Sequence, residues 1–325
     1  MPRYKLTIAY EGTDFCGWQK QEPFAPVAAE PRPPDQVAPP PLFAVHPGTQ
    51  VFEAAEALPL RADEDRARLA LRTVQHVVEQ AVRRVVRERV QLVGASRTDS
   101  GVHARGQVAA FTCSGDEAAR AAGMGWPETR GTDRLLRALN GSLPQDVQVT
   151  KVEIADAAFN PIRDCTSKAY SYTLHVVRPP PRGDSLRALW DRRLVHQVWD
   201  ELDVAAMNSA AQILVGEHDF AAFAAANHGR LTTVRKVLSC GVTPLGEQEH
   251  GERIRIDVSG TGFLYNMVRI IGGTLVAVGR GRMTAQQVSA ALASHDRRNA
   301  GPTLPPTGLC LEWIRYDRAA AATGR

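Results

Sequence analysis

Residues 96–104 read SRTDSGVHA. Arg97, Asp99 and His103 are crowded into a short polar corner between two apolar runs, VQLVGA before it and VAAF after it. A carboxylate held rigidly at the end of a sheet can attack as a nucleophile or take a proton. Rigid scaffolds with polar loops are where such chemistry concentrates. An Asp in a turn also serves simply by bonding nearby amides, so residue type alone leaves both readings open. A second group bears on the choice. Arg269 sits in the middle of TGFLYNMVRIIGGTLVAVG, 261–279. A guanidinium buried there needs a carboxylate partner, and Asp99 is a candidate. A bidentate pair would keep Asp99 ionised and oriented. An Arg whose stem merely covers apolar surface would need no partner.

A third group is SKAYSY, 167–172. On a strand Tyr170 and Tyr172 project to one face. One tyrosine in the core and one facing a cleft, beside Lys168, would let a nucleobase stack next to a neutralised phosphate. An ordinary pair of sheet tyrosines is the competing reading. The nine histidines are scattered and HExxH is absent, so His103 is a candidate structural or substrate contact and no metal site is expected. The glycines of RIIGGTLVAVGRG do not follow a strand as a phosphate-binding loop requires.

The elements that must position these groups follow from periodicity. YKLTIAY, 4–10, alternates as a strand, and the turn-rich EGTDFCGWQKQ follows it. Valines recurring at three- and four-residue steps predict a helix over 66–89. Strands are expected at 90–95, 106–113, 147–154, 166–177, 232–243, 253–259 and 308–316, and helices at 132–140, 203–214, 262–278 and 285–293. Asp203 is an expected N-cap, and Thr284 with Gln287 an expected capping box. This mixed order predicts an α+β protein in two halves, 1–157 and 158–325. The 261–279 run reads as a buried helix carrying one charge, since that charge at mid-bilayer would be costly.

Charge narrows the partners. The 325 residues carry +4 net, but 22–65 holds eight acids against two bases, which leaves +10 on the remainder. A basic body suits a polyanion such as nucleic acid. The same acidic stretch has ten of the 21 prolines. It reads as a surface insertion over 22–68, at least partly disordered. Five cysteines, with no CxxC pair, suit a reducing cytosol. MPRYKLTIAY lacks the apolar core of a signal peptide.

SRTDSGVHARGQVAAF resembles the G-R-T-D-x-G-V-H-A-x-x-Q-V-x-x-F motif of TruA-type tRNA pseudouridine synthases. YEGTDFCGWQKQ, RTVQHVVEQAV, LNGSLPQDVQV, GEHDFAAF, GFLYNMVRIIGG and GLCLEWIRY resemble further blocks of that family, in order. The resemblance covers nearly the whole chain outside 22–68.

The resemblance implies the pseudouridine synthase fold: two related α/β halves around a mainly antiparallel sheet, with a basic cleft between them. It implies a homodimeric cytoplasmic isomerase that converts uridine to pseudouridine in the anticodon stem-loop of tRNA, around positions 38 to 40, with no cofactor and no metal. By the motif match Asp99 is the catalytic carboxylate, Tyr170 contacts the uracil, and Arg269 pairs with Asp99. Arg97 and His103 support the corner, and Arg97, Arg105 and Lys168 are candidates for the RNA backbone. A catalytically silent tRNA-binding protein on the same fold is the alternative. One departure stands out. Many members read F-H-A-R before the tyrosine block, whereas this chain has FNPIR, with Ile162 at the Arg position and Arg163 displaced to the other side of an expected extended strand.

Overall fold

A computed structural model describes residues 1–20, 52–53, 69–177, 189–225, 231–248 and 251–316. Its centre is a ten-stranded sheet. In chain order the strands are β1 (Arg3–Tyr10), β2 (Val93–Gly94), β3 (His103–Thr112), β4 (Val147–Ala155), β5 (Cys165–Val177), β6 (His196–Val198), β7 (Gly216–Asp219), β8 (Val234–Gln248), β9 (Gly251–Gly260) and β10 (Leu309–Tyr316). The main path runs β4-β1-β3-β10-β5-β9-β8-β7, with β2 pairing β3 and β6 pairing β5. All pairings are antiparallel except β10 with β3 and β5 with β6.

Period-two alternation sets the two faces of the sheet. Tyr4, Leu6, Ile8 and Tyr10 of β1 are buried, while the residues between them are partly exposed. Helix α1 (Val74–Val86) lays Val74, Val78, Val82 and Val86 into the same core. On the same face, in the strands beyond β10, Tyr172, Leu174, Ile254 and Ile256 pack in that core with α5 (Met267–Gly279), which is buried along most of its length. The remaining α-helices among the described residues are α2 (Glu117–Ala121), α3 (Thr132–Asn140), α4 (Val204–Ile213) and α6 (Ala285–Ser294). Asp203 caps α4 by accepting from the Ala206 amide, and Thr284 and Gln287 form a full capping box on α6. None of the described helices is long and apolar enough to cross a membrane.

The last strand, β10, is the seam. It pairs in parallel with β3, setting Cys310 against His103, and antiparallel with β5, setting Leu311 against Tyr170. The chain leading into it, 304–308, therefore runs beside the polar corner at the start of β3.

Several boundaries differ from expectation. Helix α1 starts at Val74 instead of 66, because Thr73 is extended and its hydroxyl accepts from the His76 amide. It ends where Arg87 turns left-handed. Leu69–Ala70 pairs instead with Phe52–Glu53 in a separate two-stranded ribbon. Helix α5 starts at Met267, since Asn266 is left-handed (φ 59°) and cannot continue a helix backwards. Only Val93–Gly94 of the expected 90–95 strand pairs. Helix α2, capped by Asp116, was not foreseen. The expectation for 22–68 falls outside the described residues, apart from Phe52 and Glu53.

Candidate active site

The polar corner is held by the loop after β1. The Trp18 amide donates to the Thr98 carbonyl at 3.1 Å, and the Phe15 carbonyl accepts from the Gly101 amide and the Ser100 hydroxyl. The approach is close enough to demand glycine twice. A Cβ on Gly12 would lie 1.9 Å from the Val102 oxygen. Gly17 has φ +87°, and its Cβ would lie 2.7 Å from the Thr98 oxygen. Beneath the corner the Tyr10 hydroxyl and Thr98 Oγ1 share a buried hydrogen bond of 2.7 Å. The Gln107 carboxamide, fully buried, grips Ser96 by both backbone groups: Nε2 donates to its carbonyl at 2.6 Å and Oε1 accepts from its amide at 3.3 Å. Backbone and buried side chains thus fix the residues on either side of Asp99.

Asp99 itself is 31% exposed and meets Arg269, whose Nη1 lies 3.7 Å from Oδ2. The pair is not the bidentate fork expected from sequence. Arg269 Nε donates to the Leu304 carbonyl at 2.7 Å and Nη1 to Asn266 Oδ1 at 2.7 Å, so the guanidinium is committed elsewhere. Burial raises the Asp99 carboxyl above its ordinary range, and the charges of Arg269 and Arg97 only partly offset this.

Tyr170 stands on β5 beside this pair. Its hydroxyl lies 3.2 Å from Ser96 Oγ, and its ring meets the Phe263 ring edge-on at 5.4 Å. Burial and the Asp99 charge push the phenol up to about 12, so it is neutral at physiological pH. Tyr172, on the same face, is a core residue whose hydroxyl donates to the Pro305 carbonyl at 2.7 Å. Lys168 Nζ donates to Ser96 Oγ at 3.2 Å. Arg97 borders the corner, is exposed, and donates to Gln19 Oε1 at 3.3 Å.

Two candidates make their contacts away from the Asp99–Arg269 pair and Tyr170. His103 is buried, with Nδ1 accepting from the Gly12 amide at 3.0 Å and Nε2 donating to the Thr307 carbonyl at 3.1 Å. Both ring nitrogens are spent on structure, and burial keeps the ring neutral. Arg105 projects toward Glu312, 3.8 Å away, which also accepts from the Ser171 hydroxyl. Ser171 and Tyr170 are neighbours on β5 and point to opposite faces, so Arg105 lies across the sheet from Tyr170. Ile162 is exposed. Arg163 is not on an extended strand: 161–164 is a turn, in which Asn160 Oδ1 accepts from the Ile162 and Arg163 amides. The Arg163 side chain folds onto Asp164 and the Ala158 carbonyl. Among the described residues no three His, Cys, Asp or Glu side chains converge to hold a metal ion.

A carboxylate of raised pKa, an arginine partner and a neutral phenol sit together near this sheet seam, and the chain that carries them is similar in sequence to known proteins. Residues 210–317 match the family model described as tRNA pseudouridine synthase. A tRNA pseudouridine synthase A of Pelobacter propionicus is 36% identical over 316 residues, covering 97% of this chain and all of the relative. The Geobacter sulfurreducens protein of the same name is 40% identical over 244 residues, 75% of this chain and 90% of the relative. A tRNA pseudouridine synthase A 2 of Clostridium perfringens is 33% identical over 316 residues, 97% of this chain and all of that protein. The chain belongs to the tRNA pseudouridine synthase family.

Within this synthase fold, sequence reasoning missed three contributors to the site. Asn266 opens α5 yet spends its side chain on Arg269 and not on the helix. Its position three residues before the half-buried Arg269 was the available signal. Phe263 supports the Tyr170 ring. Ser96 joins Tyr170 to Lys168.

Proposed function

We propose that this protein isomerises uridine to pseudouridine in the anticodon stem-loop of tRNA, around positions 38 to 40, with Asp99 as the catalytic carboxylate. The N1–C1′ bond breaks, the uracil turns, and a C5–C1′ bond forms. The C5 hydrogen leaves as a proton and N1 takes one up, so there is no net oxidation and no atom is added. The observation that carries the reading is the Asp99–Arg269 ion pair at 3.7 Å, made inside a rigid corner beside Tyr170. Ionised Asp99 supplies the nucleophile or base. Arg269 steadies its charge, and Tyr170 takes the uracil face while its phenol remains a hydrogen-bond donor. A stacked base is out of reach, so the target uridine is flipped into the site. Arg97 and Lys168 meet the RNA backbone in a basic cleft between the two halves, 1–157 and 158–325. Arg105, across the sheet, is left out of that set. His103 supports the corner and does not touch substrate. A cytoplasmic homodimer completes the reading.

Carbodiimide mapping of pseudouridine on unmodified tRNA transcripts tests the site choice. New primer-extension stops confined to about positions 38 to 40 are expected. Stops elsewhere, or none, contradict it. Light scattering tests the dimer.

A further inference from the structure

We infer that Ser96 is a positioning residue that ties Lys168 to Tyr170 and thereby fixes where the Tyr170 phenol hydrogen points. The inference rests on the function proposed above. Ser96 Oγ lies 3.2 Å from Lys168 Nζ and 3.2 Å from the Tyr170 hydroxyl. An ammonium can only donate, so Ser96 accepts from Lys168. Its own hydrogen is then free to go to the Tyr170 oxygen. The phenol, relieved of donating to Ser96, presents its hydrogen to the side of the site where Asp99 and the uracil meet.

The seryl group is suited to this by how it is held. Its amide and carbonyl are both gripped by Gln107, which is fully buried. Ser96 itself is buried, so no solvent competes strongly for its hydroxyl. The chain therefore runs from a charged donor through one hydroxyl to a second, and each link polarises the next. Alanine or glycine at position 96 would leave the Tyr170 hydroxyl without that donor, two residues from Lys168 on the same strand face. The other ionisable groups whose charge reaches the phenol are Asp99 from the corner, Cys165 from β5, Cys310 from β10 and Tyr10 from β1. None of these supplies a second donor to it in this arrangement. Only the Ser96 contact lowers the phenol pKa; burial, Asp99 and the two thiols raise it.

The test combines rate, affinity and a spectroscopic readout. Single-turnover isomerisation should fall about fivefold to tenfold in Ser96→Ala and Ser96→Gly, the scale of one hydrogen bond, with tRNA Kd unchanged. Ser96→Thr should restore most of the rate. On a Tyr170→Phe background Ser96→Ala should add little, since the two act as one unit. Fluorine NMR of fluorotyrosine placed at position 170 reads the same link without any turnover. The titration midpoint should move up in Ser96→Ala and in Lys168→Met. A Ser96→Ala protein with unchanged rate, or with its loss entirely in Kd, overturns the assignment while the parent's turnover leaves the proposed function intact. A parent that never turns over overturns the function instead. The fluorine midpoint then decides the Ser96 link: movement supports it, and no movement overturns it.

Discussion

Arg269 Nη1 lies 3.7 Å from Asp99 Oδ2, while the hydrogen bonds of the guanidinium go to the Leu304 carbonyl and to Asn266. The arginine is anchored independently of the carboxylate it steadies. Asp99 can therefore change protonation, or engage substrate, without unlocking the helix that carries Arg269.

That independence sets a pH prediction. Burial raises the Asp99 carboxyl, and Arg269 opposes the rise. In the proposed mechanism the reactive form is the carboxylate, so the acid limb of kcat/KM should lie above the ordinary carboxylate range. Arg269→Leu removes the opposing charge and should move that limb to still higher pH, with a loss of about tenfold or more near pH 6. Arg269→Lys should move it less. A pH–rate profile with an unmoved acid limb would count against the pairing.

The same shift has a stability consequence. A carboxyl whose folded pKa is raised binds its proton more tightly in the native state, so its ionisation costs stability as pH rises through the folded pKa. At pH 7 Asp99→Asn relieves that cost. The variant should be inactive yet melt at the same temperature or up to about 3 °C higher. Calorimetry checks this, and a marked drop in Tm would mean that Asp99 is chiefly structural.

His103 titrates in the opposite sense. Its ring is neutral, with Nδ1 accepting from Gly12 and Nε2 donating to Thr307. Burial lowers its pKa below the ordinary 6.5. The stability it confers is complete above the unfolded value and is lost as pH falls through the folded one. His103→Gln should cost about 1–3 kcal/mol at pH 7 and flatten the loss of stability below pH 6.5. Denaturant melts at a series of pH values read both effects.

The corner's fit to the loop after β1 is equally exposed to test. Gly12→Ala would place a carbon 1.9 Å from the Val102 oxygen. Stability should fall by about 1–3 kcal/mol, and kcat should fall by more than the folded fraction explains, because the loop sets the position of Asp99. Activity that simply tracks the folded fraction would show that the loop is only a buttress.

Much of this site was legible in the chain. A guanidinium inside an apolar run demanded a carboxylate, and Arg269 does meet Asp99. Period two put Tyr170 and Tyr172 on one face, and both are buried, Tyr170 at 7% exposure and Tyr172 at 0%, where one of the two was expected to face a cleft. What escaped was whatever depends on the backbone of distant segments. The Leu304 carbonyl takes Arg269 Nε, and a carbonyl leaves no trace in residue type, so the expected bidentate fork was wrong. Gly12 and Thr307 claim His103 in the same way. Helix ends misled where a single cap overrode a longer apolar period, as Thr73 does at the start of α1. At 160–164 one asparagine side chain makes a turn where an extended strand was expected. Arg105 was grouped with Lys168 by charge, and only the sheet register separates their faces.

If Asp99 drives uridine isomerisation as proposed, tritium release from tRNA carrying C5-tritiated uridine reads that step itself. Isomerisation must free the C5 hydrogen, and binding alone cannot. The parent should release tritium and Asp99→Asn should not, while both bind tRNA equally well. No release from competent tRNA by a parent that binds it, or release undiminished in Asp99→Asn, would rule out Asp99 as the catalytic carboxylate.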